Sequence, residues 1–173
     1  PVEDVSLGFG IEEFDGEARV IGATVGGVRV LNCYVVNGAE VGHERYEYKL
    51  RWLGGLRDCL RERYSMDDRI VVCGDFNITF DDRDVYDPEA WREKILCSTL
   101  EREALQRILD LGLQDTFRLF EQDEGVYSWW DYRMNMFRRK MGLRIDLVLA
   151  SAALAQRCTA SYVDIEPRRQ ERP

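Results

Sequence analysis

The chain reads as an α/β domain, a mixed sheet system with helices packed outside it. Three observations predict this. Ala18 to Val25 and Val28 to Val36 are β-rich runs separated by Gly26-Gly27, a strong hairpin signal. Glu44 to Tyr64 repeats Tyr48, Trp52, Leu56 and Leu60 every four residues, the stripe of a helix that buries one face. Ile70 to Cys73 is β-branched or apolar throughout, the pattern of a strand covered on both sides. Hairpin-joined strands mixed with strands joined through helices imply a mixed sheet.

The remaining elements follow in order. Gly54-Gly55 weakens the long helix without abolishing it. In Gly74-Asp75-Phe76-Asn77 the glycine lets the backbone turn or approach something closely. Asp75 and Asn77 are two apart, so an extended chain points both the same way. Phe80 to Pro88 carries Asp81, Asp82, Asp84 and Asp87 with no EF-hand spacing, and reads as a solvated acidic loop. Ser98 and Glu101 form a capping box that opens a helix through about Leu111, with Gly112 as its stop. Tyr127 to Tyr132 is an aromatic strand or turn. Leu143 to Ala150 is β-rich, with Ser151 set to cap a short helix. Thr159 to Ile165 reads as a last strand and Glu166 to Pro173 as a polar, loop-like tail.

At 173 residues the chain is one domain, or most of one. Its apolar and charged fractions are those of a soluble globular protein, no apolar run is long enough for a membrane span, and no signal peptide opens it. Cys33, Cys59, Cys73, Cys97 and Cys158 are odd in number and lack zinc-like spacing. They read as reduced thiols of a cytoplasmic protein rather than a disulfide framework. The net charge of −8 argues against a protein that coats nucleic acid nonspecifically. Any phosphate-binding surface must therefore be a local basic patch, helped by metal ions.

Three stretches carry chemistry. Asp75 and Asn77 place a carboxylate and an amide at a strand end, groups that suit hard cations and phosphate esters; the bland alternative is a simple turn. Asp146 lies between Ile145 and Leu147, where an unpaired carboxylate is costly to bury; an exposed edge or an ion pair with Arg144 would also account for it. Ser128-Trp129-Trp130-Asp131-Tyr132-Arg133, followed by Arg138, Arg139 and Lys140, interleaves aromatics with cations, as nucleic acid requires for stacking and phosphate pairing. A core Trp beside a solvated charge run is the plainer account. Tyr34 ends the second hairpin strand, and His43, the only histidine, reads as a surface residue.

Together these motifs resemble the endonuclease/exonuclease/phosphatase family, and more narrowly its exodeoxyribonuclease III branch of abasic-site nucleases. The matching residues are Asn32-Cys33-Tyr34-Val35-Val36-Asn37-Gly38, Gly74-Asp75-Phe76-Asn77, Asp115-Thr116-Phe117-Arg118, Ser128 to Arg133 and Gly142-Leu143-Arg144-Ile145-Asp146, in the family's order. The resemblance implies a four-layer α/β sandwich of two packed mixed sheets flanked by helices, incomplete in this chain. It also implies Mg²⁺-dependent hydrolysis of DNA phosphodiesters, with Mn²⁺ as a substitute: abasic-site incision, 3′-phosphatase and 3′→5′ exonuclease action. By position, Asp75 would activate water, Asn77 and Tyr34 would contact the phosphate, and Asp146 would handle protons. Asp75 and Asn77 would also hold the metal. Trp129 would shape a pocket for the abasic sugar, and Tyr132, Arg133 and Arg144 would meet the DNA. The implied partner is duplex DNA with abasic or 3′-blocked ends, bound by a monomer with no membrane involved.

The family's opening Asn-x-Asn segment, its metal-binding Glu and its closing Ser-Asp-His have no counterpart here. The expectation is therefore the central and C-terminal part of one domain, truncated at both ends and inactive alone. Two other readings stand beside it. One is a phosphoesterase of the same superfamily acting on RNA or small phosphoesters; the other is a non-catalytic nucleic-acid-binding member.

Overall fold

A computed structural model of the chain describes residues 1–169. Its described residues form one six-stranded mixed sheet in the order β1-β2-β3-β4-β6-β5. β1 (Val2–Leu7), β2 (Val20–Val25) and β3 (Val28–Tyr34) are antiparallel neighbours. The Gly26-Gly27 hairpin forms as expected, both glycines taking positive φ. β1 was not legible in the sequence: all six of its residues are exposed or half-buried, so no buried face left a pattern.

Helix α1 (Glu12–Asp15) precedes the hairpin, and α2 (Glu44–Arg63) carries the chain over to β4 (Ile70–Asp75), which runs parallel to β3. The buried side of α2 contains Tyr46, Lys49, Trp52, Leu53, Leu56 and Leu60. Gly55 is there for closeness rather than flexibility: a Cβ on it would sit 2.5 Å from the Phe14 ring. After α3 (Pro88–Trp91), α4 (Thr99–Leu109) opens with the predicted Ser98–Glu101 capping box. Trp52, Leu56 and Leu60 of α2 and Leu105 and Ile108 of α4 pack with Leu31, Cys33, Ile70, Val72, Leu147 and Leu149 in one core. The helices thus cover one face of the sheet. Ile21, Val25, Tyr34 and Val148 stay exposed. Of the expected sandwich, these residues make one sheet and the helical layer on one side of it.

β5 (Leu113–Asp115) and β6 (Asp146–Ser151) complete the sheet, both antiparallel to their neighbours. The strand expected at Thr159 to Ile165 does not form. β6 already pairs with β4 and β5, and the segment does not add to the outer edge of β5, the end of the sheet. Polar side chains tie the segment down instead: Thr116 and Ser161 hydroxyls lie 3.1 Å apart, and Gln122 Nε2 donates to Ser161 O. Ser151 precedes α5 (Ala152–Ala155) but caps nothing with its side chain. Its Oγ donates to Asp68 O at 2.6 Å and accepts from Ile70 N, stapling β6 to the start of β4. The tail takes one helical turn, α6 (Glu166–Arg169), where a loop was expected; its last residues, 170–173, lie outside the described ones.

The solvated reading of the 80–88 loop also fails at Asp84 and its neighbour Val85, both buried. Asp84 is fully buried and accepts from Phe80 N and Asp81 N, from Arg118, and from Arg144 Nε at 2.7 Å.

Candidate active site

Strand register builds the site. β3 pairs Tyr34 with Asp75, and β6 pairs Asp146 with Asp75. Three residues far apart in the sequence therefore form one row across adjacent strand ends. Gly74 makes this alignment possible. Its φ is +125°, and a Cβ would lie 2.1 Å from Cys33 O on β3. Close approach is what the glycine supplies.

Asp75 and Asn77 converge, but not by extended-chain alternation. Asn77 is left-handed at φ 51°, and its N–H donates to Asp75 Oδ1 at 2.8 Å, an Asx turn. Asn77 Nδ2 donates to Val35 O at 2.9 Å and, longer, to Asp75 Oδ2 at 3.3 Å. Asn37 Nδ2 donates to Asn77 Oδ1 at 3.2 Å. The turn of the plainer reading does form, and it presents the Asp75 carboxylate.

Burial is the main influence on both carboxyls. Asp75 is pushed up to about 6, chiefly by desolvation and also by the Asp146 charge; the Asn77 N–H and Lys49 pull the other way. Burial raises Asp146 too, although its tip reaches solvent, and Ser128 opposes the rise.

Ser128, which the sequence marked only as the start of the aromatic–cationic stretch, holds the site together. Its Oγ accepts from Ile145 N and Asp146 N at 3.1 and 3.0 Å, while Trp129 and Leu143 exchange backbone hydrogen bonds of 2.9 Å. This pins the Trp129 segment beside Asp146. Trp129 is partly exposed, and Tyr132 is 81% exposed with the Arg133 guanidinium 5.4 Å from its ring centroid. Tyr34 is exposed as well, with Arg19 5.0 Å from its ring, so it is not a core residue. Asn37, part of the resembling stretch but given no role there, is legible only as a loop residue until the fold brings it to Asn77. His43 stands apart from this group: it is exposed and caps α2, its Nδ1 accepting from Arg45 N.

Arg144 is the correction within the expected site. It is 1% exposed, donates twice to Asp84 and once to Asp115 at 2.7 Å, and stacks 4.7 Å from the Phe117 centroid. A guanidinium enclosed in that way has no face left for a DNA phosphate. Strand alternation cannot reveal this, because Asp84 and Asp115 are tens of residues away in the chain. The Asp146–Arg144 pair is absent for the same reason: Arg144 is already paired with Asp84 and Asp115.

A strand-end row of carboxylates with a turn-held amide and a flanking aromatic–cationic loop forms the candidate site of this α/β chain. The chain belongs to the endonuclease/exonuclease/phosphatase family, whose profile matches residues 1–168. It is 37% identical over 153 residues to an exodeoxyribonuclease of Bacillus subtilis (strain 168), covering 88% of this chain and 60% of that protein. It is 33% identical to exodeoxyribonuclease III of Haemophilus influenzae, covering 98% and 68%. Among solved structures, the Neisseria 3′ phosphatase NExo, bound to a product DNA hairpin, matches with a TM-score of 0.94 at 44% identity. An AP endonuclease from Archaeoglobus fulgidus matches with a TM-score of 0.94 at 36% identity. Both matches cover 100% of this chain and 67% of the other. The chain thus spans about two thirds of the length of the proteins it resembles.

Proposed function

We propose that these residues belong to a DNA-repair nuclease that hydrolyses phosphodiesters at abasic sites and 3′ ends of duplex DNA. The observation carrying this reading is the Tyr34–Asp75–Asp146 row with the exposed Trp129, Tyr132 and Arg133 on a segment pinned beside it. Asp75, with its proton affinity raised toward neutrality, would orient the attacking water and take its proton on the carboxylate. Asn77 would turn its weaker Nδ2 bond from Asp75 to a phosphate oxygen, and the Tyr34 hydroxyl would donate to the same phosphate. Trp129 would wall the pocket for the abasic sugar, while Tyr132 and Arg133 would meet the duplex. The protein would act as a monomer, in the reducing cytoplasm that its free thiols suit.

Mg²⁺ fits one flank of this site. Asp75 and Asp146 occupy paired positions on neighbouring strands, two carboxylates offering the hard oxygen ligands that a divalent cation takes. Asp75 and Asn77 would hold it. When bound, the ion would neutralise the phosphate and its leaving oxygen. Among the described residues, no three His, Cys, Asp or Glu side chains group to hold a metal. No described helix is long and apolar enough to cross a membrane.

The test is a substrate panel with Mg²⁺ or EDTA: abasic duplex, 3′-phosphate duplex, RNA and a soluble phosphomonoester. Without a third carboxylate or a histidine at the site, the 173-residue chain alone should cleave orders of magnitude more slowly than its longer relatives. It should still bind abasic duplex in preference to intact duplex in EDTA. Preference for RNA would favour another phosphoesterase of the superfamily. Fast Mg²⁺-dependent incision would refute the proposed inactivity of the isolated chain.

A further inference from the structure

Lys49 sits 0% exposed in the second turn of α2, and the reaction just described gives it no role. A buried ammonium has three protons to place. Lys49 Nζ gives one to Glu101, one to Asn77 O at 2.7 Å and one to Asn37 O at 3.2 Å. Two of its three bonds therefore go to main-chain carbonyls of the two loops whose side chains meet at the Asn37–Asn77 hydrogen bond. Glu101 is held in turn: it accepts from Leu96 N, Ser98 N and Ser98 Oγ, and Ser98 Oγ lies 2.8 Å from the Tyr46 hydroxyl.

The plain alternative is an ordinary core ion pair. Such pairs are weak contributors to stability, because desolvation offsets their attraction and apolar side chains often do as well. Two features distinguish this one. Its cation spans the β3–α2 and β4 loops rather than merely filling space, and the carbonyl it grips belongs to a residue in the left-handed region. A residue held at positive φ persists only where its surroundings over-determine it.

We propose that Lys49, with Glu101 as its fixed counter-ion, is a positioning residue that clamps the Asn37 and Asn77 loops together and so orients the amides of the phosphate-facing site. The proposal rests on the functional reading above for what the amides face, but the clamp itself is tested without activity. Lys49→Met alone strands a buried Glu101 and could simply unfold the chain. The informative companion is the double variant Lys49→Met/Glu101→Gln, which removes both charges and keeps an acceptor for the Ser98 cap.

Both variants and the parent chain are compared by thermal melting and by NMR hydrogen exchange. The amides followed are the Asn77 backbone N–H, the Asn77 and Asn37 side-chain amides, and Val72 and Leu105 as core references. The expected result is a double variant that recovers most of the melting temperature lost by Lys49→Met. Asn77 and Asn37 nevertheless exchange about tenfold faster or more than in the parent, while Val72 and Leu105 stay within about threefold. Recovery of melting together with parent-like exchange at Asn77 and Asn37 would overturn the clamp and leave a core ion pair. A uniform rise across all amides would overturn it equally, since the effect would then be global. If the parent shows no preference for abasic duplex, the functional reading falls, and the exchange result still decides the clamp.

Discussion

Replacing Arg144 by Met separates two accounts of this residue. As a DNA contact, its loss would leave stability near the parent's and weaken binding. As the hub of a buried cluster, its loss would leave two carboxylates without their main partner. Asp84 would keep Arg118 and two backbone N–H groups, while Asp115 would keep only Phe117 N at 3.1 Å. Breaking a buried pair by removing one partner costs about 3–5 kcal/mol, and the partners left to Asp84 place this case near ~3 kcal/mol. For a chain of this size that is about 6–12 °C in melting temperature. Urea denaturation followed by Trp fluorescence reads it directly. The triple variant Asp84→Asn/Asp115→Asn/Arg144→Met, which strands neither carboxylate and leaves Arg118 with Asp81 at 3.6 Å, should recover a large part of the loss. A loss below ~1 kcal/mol for Arg144→Met would refute the cluster argument.

Three further outcomes follow from the site. In EDTA, folded Asp75 keeps its proton up to about pH 6, against about 4 in an unfolded chain, so the folded state binds more protons in that window and stability falls as pH rises through it. Asp75→Asn should flatten part of that fall, leaving the Asp146 share, and be more stable than the parent at pH 8; a steeper fall in the melting curves would contradict the raised proton affinity. Gly74→Ala, with a Cβ 2.1 Å from Cys33 O and φ at +125°, should cost at least ~3 kcal/mol, and a variant that melts like the parent would show that the strands separate freely. Arg133→Ala should leave stability within ~0.5 kcal/mol but lower the slope of log affinity against log salt for duplex DNA by about 1, as one lost phosphate contact does; an unchanged slope would remove Arg133 from the interface.

Local signals were legible where one residue type does one local job. The hairpin glycines, the four-residue stripe of α2 and the Ser98–Glu101 box each act within a few residues, and each stands where expected. The strand end at Gly74-Asp75-Phe76-Asn77 was legible, but its geometry was not: an Asx turn, not strand alternation, brings the two side chains together. β1 escaped notice because it buries none of its residues, and Thr159 to Ile165 looked like a strand because composition does not say whether a segment finds a strand to pair with.

By itself, the sequence determined the α/β class, the principal helices and hairpin, and the strand-end position of Asp75, because these depend on spacing and on backbone preferences carried by neighbouring residues. Only the tertiary structure decided which charges meet. Tyr34 and Asp146 reach Asp75 through strand register, Lys49 reaches Asn77 across two loops, and Arg144 turns inward to Asp84 and Asp115. A buried charge needs a partner but does not specify which one, and that choice is made by how distant segments pack.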